Sequence, residues 1–169
     1  MFPVATNAIH RFLQAHAWFS ALTPEQQVAV EAQVFTTTAQ RGAVVLPANE
    51  RTQGWYGVMR GLVKISGRAT AGRRSDFLGV AQGEWFGEGA VLKNELRRYE
   101  VVALRDTELL CLPSDVFHHL HASSLAFNQS VVACLNLRLS QAMAMIEAGR
   151  TRSPEQRIAL SLSRLFWSR

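Results

Sequence analysis

Between residues 34 and 112, apolar and polar positions alternate in short β-prone runs: VFTTT, AVVL, WYGVM, LVKIS, DFLGV, YEVVAL and ELLCL. Glycines at 42, 54, 61, 67, 72 and 83 punctuate them. Runs this short, rich in β-branched and aromatic residues and bounded by turn formers, predict seven or eight strands. Strands so closely spaced suit a closed double-sheet β-roll, a double-stranded β-helix of jelly-roll type. The predicted class is mainly β with flanking helices.

The pattern changes on both sides of the roll. Thr23-Pro24-Glu25-Gln26 is a capping box with proline at the first helical position, and it predicts a helix over 24–33. Pro113 ends the last strand, and Ser114 to His121 should form a brief helix. From Ser124 to Arg150 there is no proline, and no glycine before Gly149. Along that stretch Val132, Leu135, Leu139, Ala142 and Ile146 recur at spacings of three and four, which predicts a long helix with a coiled-coil-like seam. Phe127, Val131, Cys134 and Met145 form a second apolar stripe, so one stripe can cover the roll while the other meets a second copy of the chain. A homodimer through 124–150 is expected. Ser153-Pro154-Glu155-Gln156 repeats the capping-box pattern and predicts a helix over 154–167, which makes Gly149 to Ser153 a hinge.

The densest candidate chemistry lies in GEWFGEGAVLKNELRRYEVVALRDTELLCL, residues 83–112. Gly83, Gly87 and Gly89 free the backbone to turn and to approach a ligand closely, and the AVL that follows can start a short helix whose N-terminal amides favour negative charge. Glu88 and Arg97 supply opposite charges. A carboxylate accepts from sugar hydroxyls and a guanidinium forks onto phosphate oxygens, so the stretch reads as an anion pocket. A structural ion pair between Glu88 and Arg97 is the alternative use of the same two residues.

The pattern G-x-W-F-G-E-G, then R-R-Y-E-V-V-A-L, then L-L-C-L-P-x-x-x-F resembles the phosphate-binding cassette and last strands of the cyclic-nucleotide-binding domain in the Crp/Fnr family of bacterial regulators. The resemblance runs from WFSALTPEQ through Gly42 and WYGVMRGLVKI to RLSQAMAMIEAGRTRSPEQRIALSLSRLF, leaving out only residues 1 to about 15. It implies a sensor roll with N-terminal helices over 1–122, a dimerisation helix over 123–150, and over 151–169 a hinge and the first helix of a winged helix-turn-helix. The implied ligand-binding set is Gly87, Glu88, Gly89, Arg97 and Arg98. In relatives that bind cyclic AMP, the arginine matched by Arg97 is followed by a serine or threonine that contacts the phosphate; this chain has Arg98. Two hydroxyl residues that reach the adenine are matched by Ala142 and Met143, neither of which makes a strong hydrogen bond. The expected effector is therefore a small anion other than cyclic AMP. Residue 169 is reached before any recognition helix could follow, so DNA is expected as a partner only of a full-length form. The alternative is a free-standing effector-binding or interaction module.

Composition narrows the remaining classes. A chain of 169 residues, 48% of them hydrophobic, suits one substantial core with an appendage. No run approaches a membrane span and no secretory leader is visible, so a cytoplasmic protein is expected. The net charge of +5 suits a polyanionic partner. Arg41, Arg51, Arg60, Lys64, Arg68, Arg73 and Arg74 stand against the single acid Glu50 between 41 and 74. Cys111 and Cys134 have neither metal nor disulfide spacing and read as buried small residues; they supply no iron–sulfur ligand set. In the group His118, His119 and His121 the adjacent histidines point to different sides of one short helix with no carboxylate or cysteine at a helpful spacing, and residues 34–112 contain no histidine, so neither a metal nor a cofactor is expected. No nucleophile turn or catalytic triad pattern is present, and a non-enzymatic protein is expected.

Overall fold

The computed structural model describes residues 4–68, 74–151 and Glu155. Helices α1 (Val4–Gln14), α2 (Ala17–Ser20) and α3 (Pro24–Gln33) lead into eight strands: β1 (Phe35–Ala39), β2 (Val44–Leu46), β3 (Gly54–Arg60), β4 (Leu62–Arg68), β5 (Arg74–Ala81), β6 (Trp85–Phe86), β7 (Tyr99–Ala103) and β8 (Thr107–Pro113). A short helix α4 (Glu88–Lys93) interrupts them, and α5 (Ser114–Ser123) and α6 (Leu125–Thr151) follow. The capping box forms as the sequence predicts: Gln26 N donates to Thr23 Oγ1 at 3.3 Å and Thr23 N donates to Gln26 Oε1 at 3.1 Å.

The strands pair antiparallel in two four-stranded sheets, ordered β1-β8-β3-β6 and β2-β7-β4-β5. Between them lies the core, built from Leu46, Val58, Val63, Ile65, Val101 and Leu109 among others. Strand β3 is buried on both faces from Gly54 to Val58, and the two-residue side-chain period of a strand explains how. Tyr56 and Val58 point into the inter-sheet core. Trp55 points the other way, into an aromatic cluster where its ring lies 4.5 Å from Trp85, 5.7 Å from Trp18 and 5.8 Å from both Phe117 and Phe127. That cluster ties α2, α5 and the start of α6 to the sheet. Burying each such ring contributes roughly 1.5–3 kcal/mol. Gly54 opens the strand because nothing larger fits: a Cβ there would collide with the carbonyl oxygen of Leu112 and come within 2.8 Å of Cys111 Sγ.

His16 fastens the helical N-terminus to the turn before β6. Its Nδ1 lies 2.7 Å from the Phe12 carbonyl oxygen and its Nε2 lies 2.9 Å from that of Gly83.

The chain divides into two compact units, the first ending at Val131 and the second beginning at Val132, inside α6. Ser124 caps α6, accepting from Phe127 N at 3.2 Å. In the first unit Phe127 and Val131 are fully packed. In the second, Val132, Leu135, Leu139, Met143 and Ile146 are exposed, at 37% for Leu135 and 54–62% for the others, and Ala142 is exposed as well. Of the expected hinge at Gly149 to Ser153, Gly149, Arg150 and Thr151 belong to α6, and Arg152 and Ser153 lie outside the described residues. Helix α6 continues through Gly149 and Arg150 to Thr151, because a single glycine lowers helix propensity by only about 1 kcal/mol and an established ladder carries across it. The capping box at 153–156 and the helix expected over 154–167 lie outside the described residues, apart from Glu155. Among the described residues, no helix is long and apolar enough to cross a membrane.

Candidate functional site

The cassette folds around Gly87. This residue adopts φ +95°, a left-handed conformation that side chains disfavour, and serves as the N-cap of α4. Space alone would admit a larger residue, since a Cβ here would sit 3.7 Å from both the Tyr99 hydroxyl and the Tyr56 ring. The conformation is what requires glycine. Glu88 is the first residue of α4 and is buried, at 5% exposure. Gly89 faces open space. Inside the helix, Ala90 N and Val91 N both donate to the Gly87 carbonyl at 3.2 Å. The other half of the expected anion pocket is a side-chain charge.

Arg97 supplies it. The residue is 3% exposed, and among the described residues its guanidinium makes one hydrogen bond, donated by Nη1 to the Pro47 carbonyl at 2.7 Å. Its backbone is clamped to the same loop. Arg97 N donates to Glu50 O at 2.9 Å, and Asn49 N donates to Arg97 O at 2.7 Å. The loop 47–50 thus fixes both the backbone and the side chain of Arg97. Among the described residues Arg97 joins no carboxylate, so its side chain is not spent on the ion pair with Glu88 that the sequence left open.

Arg98 is placed differently. Its side chain is 85% exposed and lies 3.5 Å from Glu95, which also pairs with Lys93 at 3.4 Å. Neighbouring residues in extended backbone point to opposite sides. Gly87, Glu88 and Gly89 follow one another at the start of α4, Arg97 is buried against the loop 47–50, and Arg98 turns outward.

Sequence reading missed two buried groups of the roll interior on which the Arg97 charge acts. Tyr56 on β3 and Cys111 on β8 are directly paired across the ladder and both are buried. Burial pushes the Cys111 thiol up to about 12, with the Tyr56 hydroxyl and the Arg97 charge acting against the rise. Burial likewise pushes the Tyr56 phenol well above the ordinary tyrosine range, with the Cys111 thiol adding to the rise and the Arg97 charge opposing it. Tyr56 stacks on Phe86 at 5.7 Å, immediately before Gly87. A signal existed in the sequence: in the WY pair of β3, one ring had to face inward once the other faced the helices.

A cleft of about 300 Å³ lies between α3 and α5, with Val30, Val116 and Leu120 below and Glu25, Asp115 and His119 around it. None of the cassette residues lines it. His118, His119 and His121 are all exposed. Of the basic residues between 41 and 74, Arg41, Arg51 and Arg60 are exposed; Arg73 lies outside the described residues, as do the side chains of Arg68 and Arg74.

Comparison with known proteins agrees with this geometry. No curated protein matches the chain. The fold is similar to that of the sensor domain of the transcriptional regulator DNR from Pseudomonas aeruginosa, at 18% identity and a TM-score of 0.70, over 89% of this chain and 97% of that one. A protein from Eubacterium rectale described as a transcriptional regulator of the crp/fnr family aligns at 17% identity with a TM-score of 0.79, over 89% of this chain and 71% of that one. The catabolite activator protein of Thermus thermophilus aligns at 24% identity with a TM-score of 0.65, over 78% of this chain and 62% of that longer one. A family model described as the cyclic nucleotide-binding domain matches residues 36–124, from β1 to the start of α6. With its paired sheets, its Gly87–Glu88 cassette and its buried Arg97, the chain belongs to the cyclic nucleotide-binding domain family.

Proposed function

We propose that this protein is the effector-sensing and dimerisation region of a Crp/Fnr-type transcription regulator, and that it responds to a small anionic ligand other than cyclic AMP. The observation that carries the reading is Arg97: a buried guanidinium held by one loop, with most of its donors uncommitted among the described residues. A guanidinium kept from water in this way favours an oxyanion that can accept from several of its N–H groups at once. The departures from the cyclic-AMP pattern support a different effector. Arg98 stands where a hydroxyl would serve the phosphate, and Ala142 and Met143 stand where hydroxyls would meet the base.

On this reading the exposed seam of Val132, Leu135, Leu139, Ala142 and Ile146 joins two copies of α6, and the effector alters how the paired helices present DNA-binding heads in a full-length form. Binding an effector would stabilise the fold by mass action. The test is a melting-temperature screen of anionic metabolites on the wild-type chain and on Arg97→Ala. An anion that raises the wild-type midpoint and leaves Arg97→Ala unmoved supports the reading. Micromolar or tighter cyclic AMP binding by calorimetry would overturn its ligand half.

A further inference from the structure

The Tyr56 hydroxyl is buried, with the whole residue 1% exposed, and among the described residues it is left without a hydrogen bond that meets distance and angle limits. The Cys111 thiol and the Gln53 backbone are its polar neighbours. Leaving a buried donor unmade is costly, and such groups are rare enough in folded proteins that each needs an explanation. The indole N–H groups of Trp18 and Trp55 are also buried without partners, but they sit among rings, in the aromatic cluster on the other face of β3. Tyr56 alone of these lies on the inner face, where the Arg97 charge is felt. Its ring also packs beside Gly87, 3.7 Å from where a Cβ would project.

We infer that Tyr56 is a ligand-binding residue of the anion site: its hydroxyl donates to an oxyanion held by Arg97, so the effector carries a phosphoryl or carboxylate head that enters between β3 and the Gly87 turn. This rests on the reading of Arg97 as an anion receptor. Raised ionisation keeps Tyr56 a phenol at any physiological pH, so it acts as a donor and selects acceptor-rich, negatively charged heads over cationic ones. The structural alternative is that the hydroxyl merely fills space.

Phenylalanine at position 56 separates the two, because it keeps the ring and removes only the oxygen. Inorganic phosphate and acetate serve as the probes, at matched ionic strength with chloride as the background, on the wild type, Tyr56→Phe, Arg97→Ala and Arg98→Ala. Without a probe anion, Tyr56→Phe should melt at or above the wild-type temperature, since it removes an unmade donor. With phosphate or acetate, whichever the site takes, Tyr56→Phe should bind about ten- to a hundredfold more weakly, as expected when a hydrogen bond to a charged group is lost. Arg97→Ala should lose the response and Arg98→Ala should keep it. A response lost in Arg97→Ala but undiminished in Tyr56→Phe would overturn the role of Tyr56 and leave the anion site standing. A response equal in the wild type and Arg97→Ala, or none at all, would overturn both. A drop of several degrees in the anion-free midpoint of Tyr56→Phe would also overturn the inference, by showing that the hydroxyl has a structural partner.

Discussion

Arg97 and Pro47 are joined by a 2.7 Å hydrogen bond from the guanidinium to the carbonyl, and the amides of Arg97 and Asn49 reinforce it from either side. The loop 47–50 and the strand entry at 96–98 therefore behave as one piece. Replacing Arg97 by methionine keeps the buried stem and removes the bond, so the fold should persist with stability reduced by about 1 kcal/mol. Urea denaturation measures the loss, and faster hydrogen exchange at the Asn49 amide would locate it in the loop.

Three glycines of the same region should respond differently to alanine. At Gly54 the new Cβ meets backbone, the Leu112 carbonyl, and strands β3 and β8 cannot part without losing their ladder. A loss of about 3 kcal/mol is expected there. At Gly87 the loss should be about 1–2 kcal/mol, set by its left-handed φ of +95° rather than by crowding. Gly89 is helical with open space beside it, so alanine should be neutral or stabilising by up to about 1 kcal/mol. Thermal melts of the three variants check the order.

The two apolar stripes of α6 should fail in different ways. Phe127 is fully buried, 5.2 Å from Phe117 and 5.5 Å from Trp18, so Phe127→Ala should destabilise the sensor by about 3–5 kcal/mol. Leu135 and Leu139 are exposed in the single chain. Replacing both with glutamate should leave the melting of the roll nearly unchanged and yield monomers in sedimentation, because like charges would face each other across the seam. A dimer that survives both changes would place the interface elsewhere.

Alkaline pH should weaken the fold through Cys111 and Tyr56. Both are acids whose folded-state values are raised, to about 12 for Cys111. An acid raised in this way leaves the folded state short of the charged form, so its contribution is intact below the unfolded value and is lost as pH rises above it. Stability should fall by on the order of 1 kcal/mol per pH unit above about pH 9. Cys111→Ala and Tyr56→Phe should each flatten that slope. At pH 8, iodoacetamide should label Cys111 only in denaturant, since a thiol near 12 that is wholly buried presents almost no thiolate.

The sequence by itself determined the elements: alternation with regular glycines marked the strands, a capping box marked α3, and the three-four spacing marked α6. Those signals are local, carried by backbone preference and side-chain period, and they need no knowledge of what packs against what. The Gly87–Glu88 turn and Arg97 were legible for the same reason, because glycines and charges in a short span declare a turn with chemistry beside it. What the sequence left open was direction. Arg97 and Arg98 are adjacent and chemically alike, yet one is buried and the other is 85% exposed on its side chain. Only the pairing of residues 96–98 with the loop at 49–51 decided which faced inward. The grouping of Tyr56 with Cys111 was invisible because the two lie far apart along the chain and meet only when β3 pairs with β8. The run of α6 through Gly149 was likewise settled by cooperativity along the helix, which a single residue's propensity does not report.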